Sequence, residues 1–195
     1  MQNTPEDKRL WGLSLIIAPT LSAFGTFFMQ DGDYGVTGGT LGVLASLLWV
    51  PALIGLFALV KAEKPVYAAV GLLLAIYGVI GGINFSFEGF YAAALGLSHE
   101  RSVEAFANYP LQTNLLLWLP GPLLYLSLLV LAVVLTRNHL VPRWVGLLLG
   151  VSAIIYPASR IPRVELFVHL ADVLLLIPMV YVGWRLLHGR NIEGR

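Results

Sequence analysis

Apolar residues come in this chain as long blocks, not at the spaced intervals of a surface helix. Six runs, at about 10–29, 38–60, 66–88, 112–135, 143–158 and 165–187, are divided by short polar joints. A helix needs about 20 apolar residues to cross the hydrocarbon of a bilayer. A helix that is apolar all round belongs in lipid or in a large protein core. The pattern therefore predicts an all-α polytopic membrane protein, with one six-helix transmembrane bundle over 1–190. The fifth run is short and ends near Pro157, so it relies on interfacial flanks. Segment 89–111 is the one long joint. Its first part prolongs the third run, and "SVEAFANY" (102–109) reads as a short amphipathic helix on the membrane surface. The closing "NIEGR" (191–195) reads as an engineered protease-recognition scar and is given no role.

Composition agrees. The chain has 195 residues, 57% hydrophobic and 12% charged, more apolar surface than a soluble domain of this size can hide. A net charge of +1 offers nothing to nucleic acid. The absence of cysteine excludes disulfides, thiolate chemistry, iron–sulfur clusters and Cys-ligated zinc. Lys8 and Arg9 precede the first run as in a signal peptide, but the run is long and no A-x-A-like site closes it, so it reads as a retained span.

The basic residues set an orientation. With the N-terminus inside, Lys8, Arg9, Lys61, Lys64, Arg137, Arg143, Arg185, Arg190 and Arg195 are cytoplasmic, against Arg101, Arg160 and Arg163 outside. Nine against three predicts both termini in the cytoplasm. The pairs Gly38/Gly42, Gly78/Gly82 and Gly146/Gly150 are small-xxx-small packing signals. "WLPGPLL" (118–124) should kink the fourth span and free backbone carbonyls there.

Chemistry gathers in the outer half. In "RVELFVHLAD" (163–172), Glu165, His169 and Asp172 stand at i, i+4 and i+7, within a sector of about 60° on one helix face. Arg163 points away and snorkels to head groups. Asp172 lies about 10 Å further along the axis than Glu165. A bare charge at that depth costs at least about 2.5 kcal/mol, so Asp172 must face protein or water and needs a partner. The third span carries Tyr77, Asn84, Glu88 and Tyr91 on one face. Asn84 and Glu88 are therefore expected to share a site with His169 and Asp172. Gln112, Asn114, Arg160, Asp31 and Asp33 fall at the same level. The candidate ligand-binding residues are Asn84, Glu88, Asn114, Arg160, Glu165, His169 and Asp172. His169 and Asp172 are also the candidates for catalysis. A packing role, with His169 and Asp172 hydrogen-bonded between helices, is the competing account of the cluster.

Other chemistries find little. Only His169 lies in a span, so no metal site and no cofactor is expected. A bis-His haem would need two histidines at one depth, and a retinal Schiff base would need a buried Lys. Ser22 and Ser152 could serve His169 as nucleophiles, but no motif surrounds them. Neither a P-loop nor G-x-G-x-x-G occurs.

The stretch "RNHLVPRWVGLLLGVSAIIY" (137–156) resembles a segment of small six-span bacterial membrane proteins in a domain-of-unknown-function family. There too a basic loop with a Pro-Arg pair, here Pro142 and Arg143, leads into a Gly-containing span ending near an aromatic residue, here Tyr156. The resemblance implies a bacterial inner-membrane protein without an assigned reaction. The sequence thus points to a protein that binds a small amphipathic molecule, lipid or ion in an outward-facing polar pocket, for sensing or transport. The alternatives are an intramembrane acid–base enzyme, a lipid isomerase or hydrolase using His169 with carboxylates, and an accessory subunit of a larger membrane complex. Membrane lipids are expected partners, with homo-oligomerisation open and no nucleic acid.

Overall fold

A computed structural model describes residues 4–29, 33–160 and 164–189. Among them every regular element is helical. The helices are α1 (Pro5–Thr26), α2 (Gly35–Val60), α3 (Pro65–Leu95), α4 (His99–Ala107), α5 (Pro110–Thr113), a π-helical turn (Asn114–Trp118), α6 (Pro120–Arg137), α7 (Arg143–Arg160) and α8 (Glu165–Leu187). Four stretches are long and apolar enough to cross a membrane: α2, α3, the continuous α5–α6 rod and α8. α1 is long enough, but its first turns carry Glu6, Asp7, Lys8 and Arg9; α7 has 18 residues and is bounded by Arg143 and Arg160.

Local signals fix the ends. Thr4 caps α1 through a reciprocal box, its hydroxyl accepting from the Asp7 N–H at 3.2 Å while its own N–H donates to the Asp7 carboxylate at 2.9 Å. α3 begins at Pro65 and stops at Gly96, whose φ of 65° is a left-handed cap open to glycine. Its 31 residues make a rod of about 46 Å, longer than the hydrocarbon is thick, so the third run is prolonged as the sequence suggests. The short helix expected in this joint is present as α4, starting three residues earlier than expected. α7 runs through Pro157 to Arg160, two residues beyond the expected end. That extra length brings Arg160 to the site described below.

The helices stand in a ring in chain order. Each long helix packs on its neighbours in sequence, α3 packs on α6 beyond the surface segment, and α8 returns to α1. Apolar burial drives little association between helices in lipid, so backbone approach matters. The closing seam is made by Gly12 and Gly183. A Cβ on Gly12 would lie 2.8 Å from the Gly183 carbonyl oxygen, and one on Gly183 would lie 2.6 Å from that of Gly12. Of the pairs noted in the sequence, Gly38 meets α1 at Gly25, Gly42 meets Ser86, Gly78 meets Leu124 and Gly146 meets Thr136; Gly82 and Gly150 have ordinary clearances. Leu53, Leu56 and Phe57 of α2, Leu131 and Leu135 of α6, Val145 of α7 and Met179 of α8 are fully buried. They occupy the end of the bundle where α2 and α6 finish and α7 begins, leaving the opposite end for polar groups.

The kink expected from "WLPGPLL" takes a definite form. Pro120 has no N–H for the Leu116 carbonyl, and the Leu119 N–H reaches back five residues to Asn114 at 2.8 Å. The carbonyls of Leu115 and Leu116 are thereby released. α3 supplies donors to both: the Tyr77 hydroxyl to Leu115 and the Asn84 amide to Leu116, the latter at 2.8 Å. This answers the requirement that backbone polar groups in a membrane find partners within the protein.

Candidate functional site

Asp172 faces the protein. It is 4% exposed although it lies in the second turn of α8, and both carboxylate oxygens are engaged. Oδ1 accepts from Arg160 Nη2 at 2.7 Å, and Oδ2 accepts from the Thr26 hydroxyl at 2.9 Å. Three helices thus meet at one carboxylate: α7 sends the cation, α1 the hydroxyl and α8 the acid. The ion pair has the short contact of a charge-assisted hydrogen bond.

The cation is held from its other side by aromatic rings. Arg160 follows Tyr156 by one helical turn, which places its guanidinium carbon 4.2 Å from the Tyr156 ring centroid. Tyr156 stacks on Tyr125 of α6, with centroids 4.9 Å apart. The guanidinium is therefore fixed by a face and an edge contact. Its second terminal amine, Nη1, is buried and has no hydrogen-bond partner among the described residues.

The histidine joins through Thr26. His169 Nδ1 lies 3.1 Å from the Thr26 hydroxyl oxygen, and the ring stacks on the exposed Phe27 at 4.4 Å. The hydroxyl has one proton and two oxygen acceptors within reach, the Ala23 carbonyl at 2.7 Å and Asp172 Oδ2. With that proton committed to either oxygen, the contact to His169 closes only if Nδ1 carries the hydrogen and donates. Neutral His169 is then the Nδ1–H tautomer, and Nε2 keeps its lone pair.

The other candidates stand elsewhere, which corrects the expected shared site. α3 does not pack against α8, so Asn84 and Glu88 do not meet His169 and Asp172. In a ring built in chain order, α8 can touch only α7 and α1. Asn84 serves the π-helical turn, and Asn114 donates to the Pro110 carbonyl at 2.8 Å. Both donate to backbone carbonyls. Glu165 is exposed on the first turn of α8. Glu88 is half-buried beneath α4. Arg163, Asp31 and the 191–195 tail lie outside the described residues. Ser22 accepts from the Trp49 indole at 3.1 Å, and the buried Ser152 donates to Leu149, so neither reaches His169 as a nucleophile.

Thr26 and Tyr125 were not singled out by sequence reasoning, and Tyr156 was noted only as the aromatic residue near the end of the fifth span. Tyr156 had a usable signal, since an aromatic one turn before an Arg at a span end is a stacking pair. Thr26 had none, because Thr20, Ser22 and Thr26 look alike until α1 is rotated against α8. No protein-family model, no curated protein and no solved structure matches this chain.

Proposed function

We propose that this is a six-span protein of the bacterial inner membrane, with both termini cytoplasmic, that holds the polar head of a small amphipathic molecule or lipid at the outer end of its bundle, for sensing or transport. One observation carries the reading. Arg160 is locked by Asp172 and Tyr156, yet keeps Nη1 without a partner. A guanidinium placed only for packing would be expected to spend its donors on the protein. An oriented, unspent N–H suits an oxygen acceptor such as a phosphate or carboxylate. His169 Nε2, on the ring that shares Thr26, adds a second polar contact. The likeness of 137–156 to small six-span bacterial proteins and the loop charges support the membrane and its orientation.

The test is native mass spectrometry of protein purified in mild detergent. An anionic amphiphile should remain bound to the wild type and be lost from Arg160→Gln at unchanged secondary structure. Equal retention by both removes the site. Single cysteines at Ser98 and Asn138 test the orientation, and labelling of only Asn138 by an impermeant reagent in intact cells reverses it.

A second reading, an intramembrane acid–base enzyme, draws on the Asp172–Thr26–His169 chain, which would present Nε2 as a base. It is the weaker reading because the carboxylate reaches His169 through a hydroxyl and not directly. In a third, an accessory subunit, the exposed Glu165 would meet a partner.

A further inference from the structure

The end of the bundle opposite Asp172 carries an open groove between α7 and α8. Leu176, Ile177, Val180, Tyr181 and Trp184 line it from α8 and Trp144 lines it from α7, around a volume of about 410 Å³. Trp144 meets Tyr181 edge to face at 4.9 Å, which joins the two walls. Ile177 and Trp184 are exposed at 44% and 53%, so the groove opens to the surroundings of the bundle. One end of it is basic. Arg143 is exposed and immediately precedes Trp144. Arg185 follows Trp184 and holds its guanidinium carbon 5.8 Å from the Tyr181 ring centroid. α7 has no acidic residue, and those of α8, Glu165 and Asp172, lie at the other end of the helix.

Size and charge together define the occupant. The volume falls within the range of about 300–1,000 Å³ typical of small-molecule sites. From Leu176 to Trp184 the axial rise is about 12 Å, close to half of the roughly 30 Å hydrocarbon of a bilayer. The groove is thus about one leaflet deep, and its uncharged walls suit an alkyl chain. Trp144 and Trp184 stand at the same end as the arginines, the arrangement of a membrane interface. A guanidinium matches the oxygens of a phosphate, and basic pockets between spans are where anionic lipid head groups bind. An ammonium-bearing head group would find no counter-charge on either helix at this level. We propose that the α7–α8 groove binds an anionic glycerophospholipid, with an acyl chain along Ile177 and Val180 and the phosphate at Arg143 and Arg185. The site rests on the reading that the chain spans a membrane. It is separate from Arg160, which closes the opposite end of α7.

The probes are dioleoylphosphatidylglycerol and dioleoylphosphatidylethanolamine, titrated into the full chain in maltoside detergent and followed by native mass spectrometry. The glycerol lipid should bind about tenfold more tightly than the ethanolamine lipid. Arg143→Gln with Arg185→Gln should erase that preference, and Ile177→Trp, which fills the groove from an exposed position, should weaken both lipids. Arg160→Gln should leave the preference intact, so failure of the Arg160 site and failure of this groove are read separately. Circular dichroism melting checks that each variant is folded, and Arg143→Gln alone, at an exposed first-turn position, provides a second charge test with a partial loss expected. Equal binding of the two lipids by the wild type overturns the proposal. So does a preference that survives in the folded double variant, or one lost in Arg160→Gln, which would place the lipid at the other end. A dimer abolished by Ile177→Trp would give the groove to a second copy of the chain and would equally overturn it.

Discussion

Asp172→Ala is the most informative single substitution. It removes both acceptors from a site with almost no solvent. The Thr26 hydroxyl can turn to the Ala23 carbonyl, already 2.7 Å away, so that loss is small. The guanidinium has no such substitute. Breaking a buried pair from one side costs about 3–5 kcal/mol, because the remaining charge is uncompensated. The Arg160 side chain is 19% exposed, so the lower end of that range, about 3 kcal/mol, applies. At about 2–4 °C per kcal/mol for a chain of this size, the melting temperature in detergent should fall by roughly 6–12 °C. Asp172→Asn retains an oxygen for Arg160 and should lose only about 1–2 kcal/mol. Asp172→Ala combined with Arg160→Met should recover much of the single-variant loss, since both charges are gone. Thermal melts of the wild type, Asp172→Ala, Arg160→Met and the double variant form a cycle. Coupling below about 0.5 kcal/mol would mean that the two residues act independently, and the account of the site would fail.

The same geometry makes three further predictions. Isotope-labelled His169 should give the nitrogen shifts of an Nδ1–H imidazole when neutral, and Thr26→Val should restore the Nε2–H form; an Nε2–H signal in the wild type would contradict the hydrogen-bond assignment. Asn84→Ala strands the Leu116 carbonyl and should cost about 1–3 kcal/mol, but less in a Pro120→Ala background, where a new N–H can take that carbonyl; equal losses in both backgrounds would exclude this role for Asn84. Gly183→Ala should force α1 and α8 apart and destabilise by about 1–3 kcal/mol, measured as an earlier thermal transition, whereas Gly150→Ala, with its ordinary clearance, should be close to neutral.

The sequence reveals elements far better than it reveals neighbours. The apolar blocks located the long helices within a few residues, because length and composition alone decide them. Asp172 was identifiable as a buried group because its depth makes lipid exposure untenable. Its partners were not, because they depend on how each rod is rotated and which rods touch. Depth alone pairs the Asn84–Glu88 face with α8, but the ring places α3 away from it. The pair that brings α1 to α8, Gly12 and Gly183, is separated by most of the chain and has no local signature. Arg160 was legible as a charge, while its reach to Asp172 required α7 to continue to Arg160, two residues past the end that apolar counting gives. The freed carbonyls of the kink were foreseeable from Pro120; that Tyr77 and Asn84 would take them was not.

The Arg160–Asp172 pair also bears on how the protein is made. The two residues are twelve apart, at the end of α7 and in the second turn of α8, so the opposite charges meet between helices consecutive in the chain. α8 presented alone to the insertion machinery would carry a carboxylate into hydrocarbon unaccompanied. Presented together with α7, it enters with its counter-ion already attached. On the six-span reading proposed above, α7 and α8 would enter as a pair, and Thr26 would then meet a carboxylate already joined to its counter-ion.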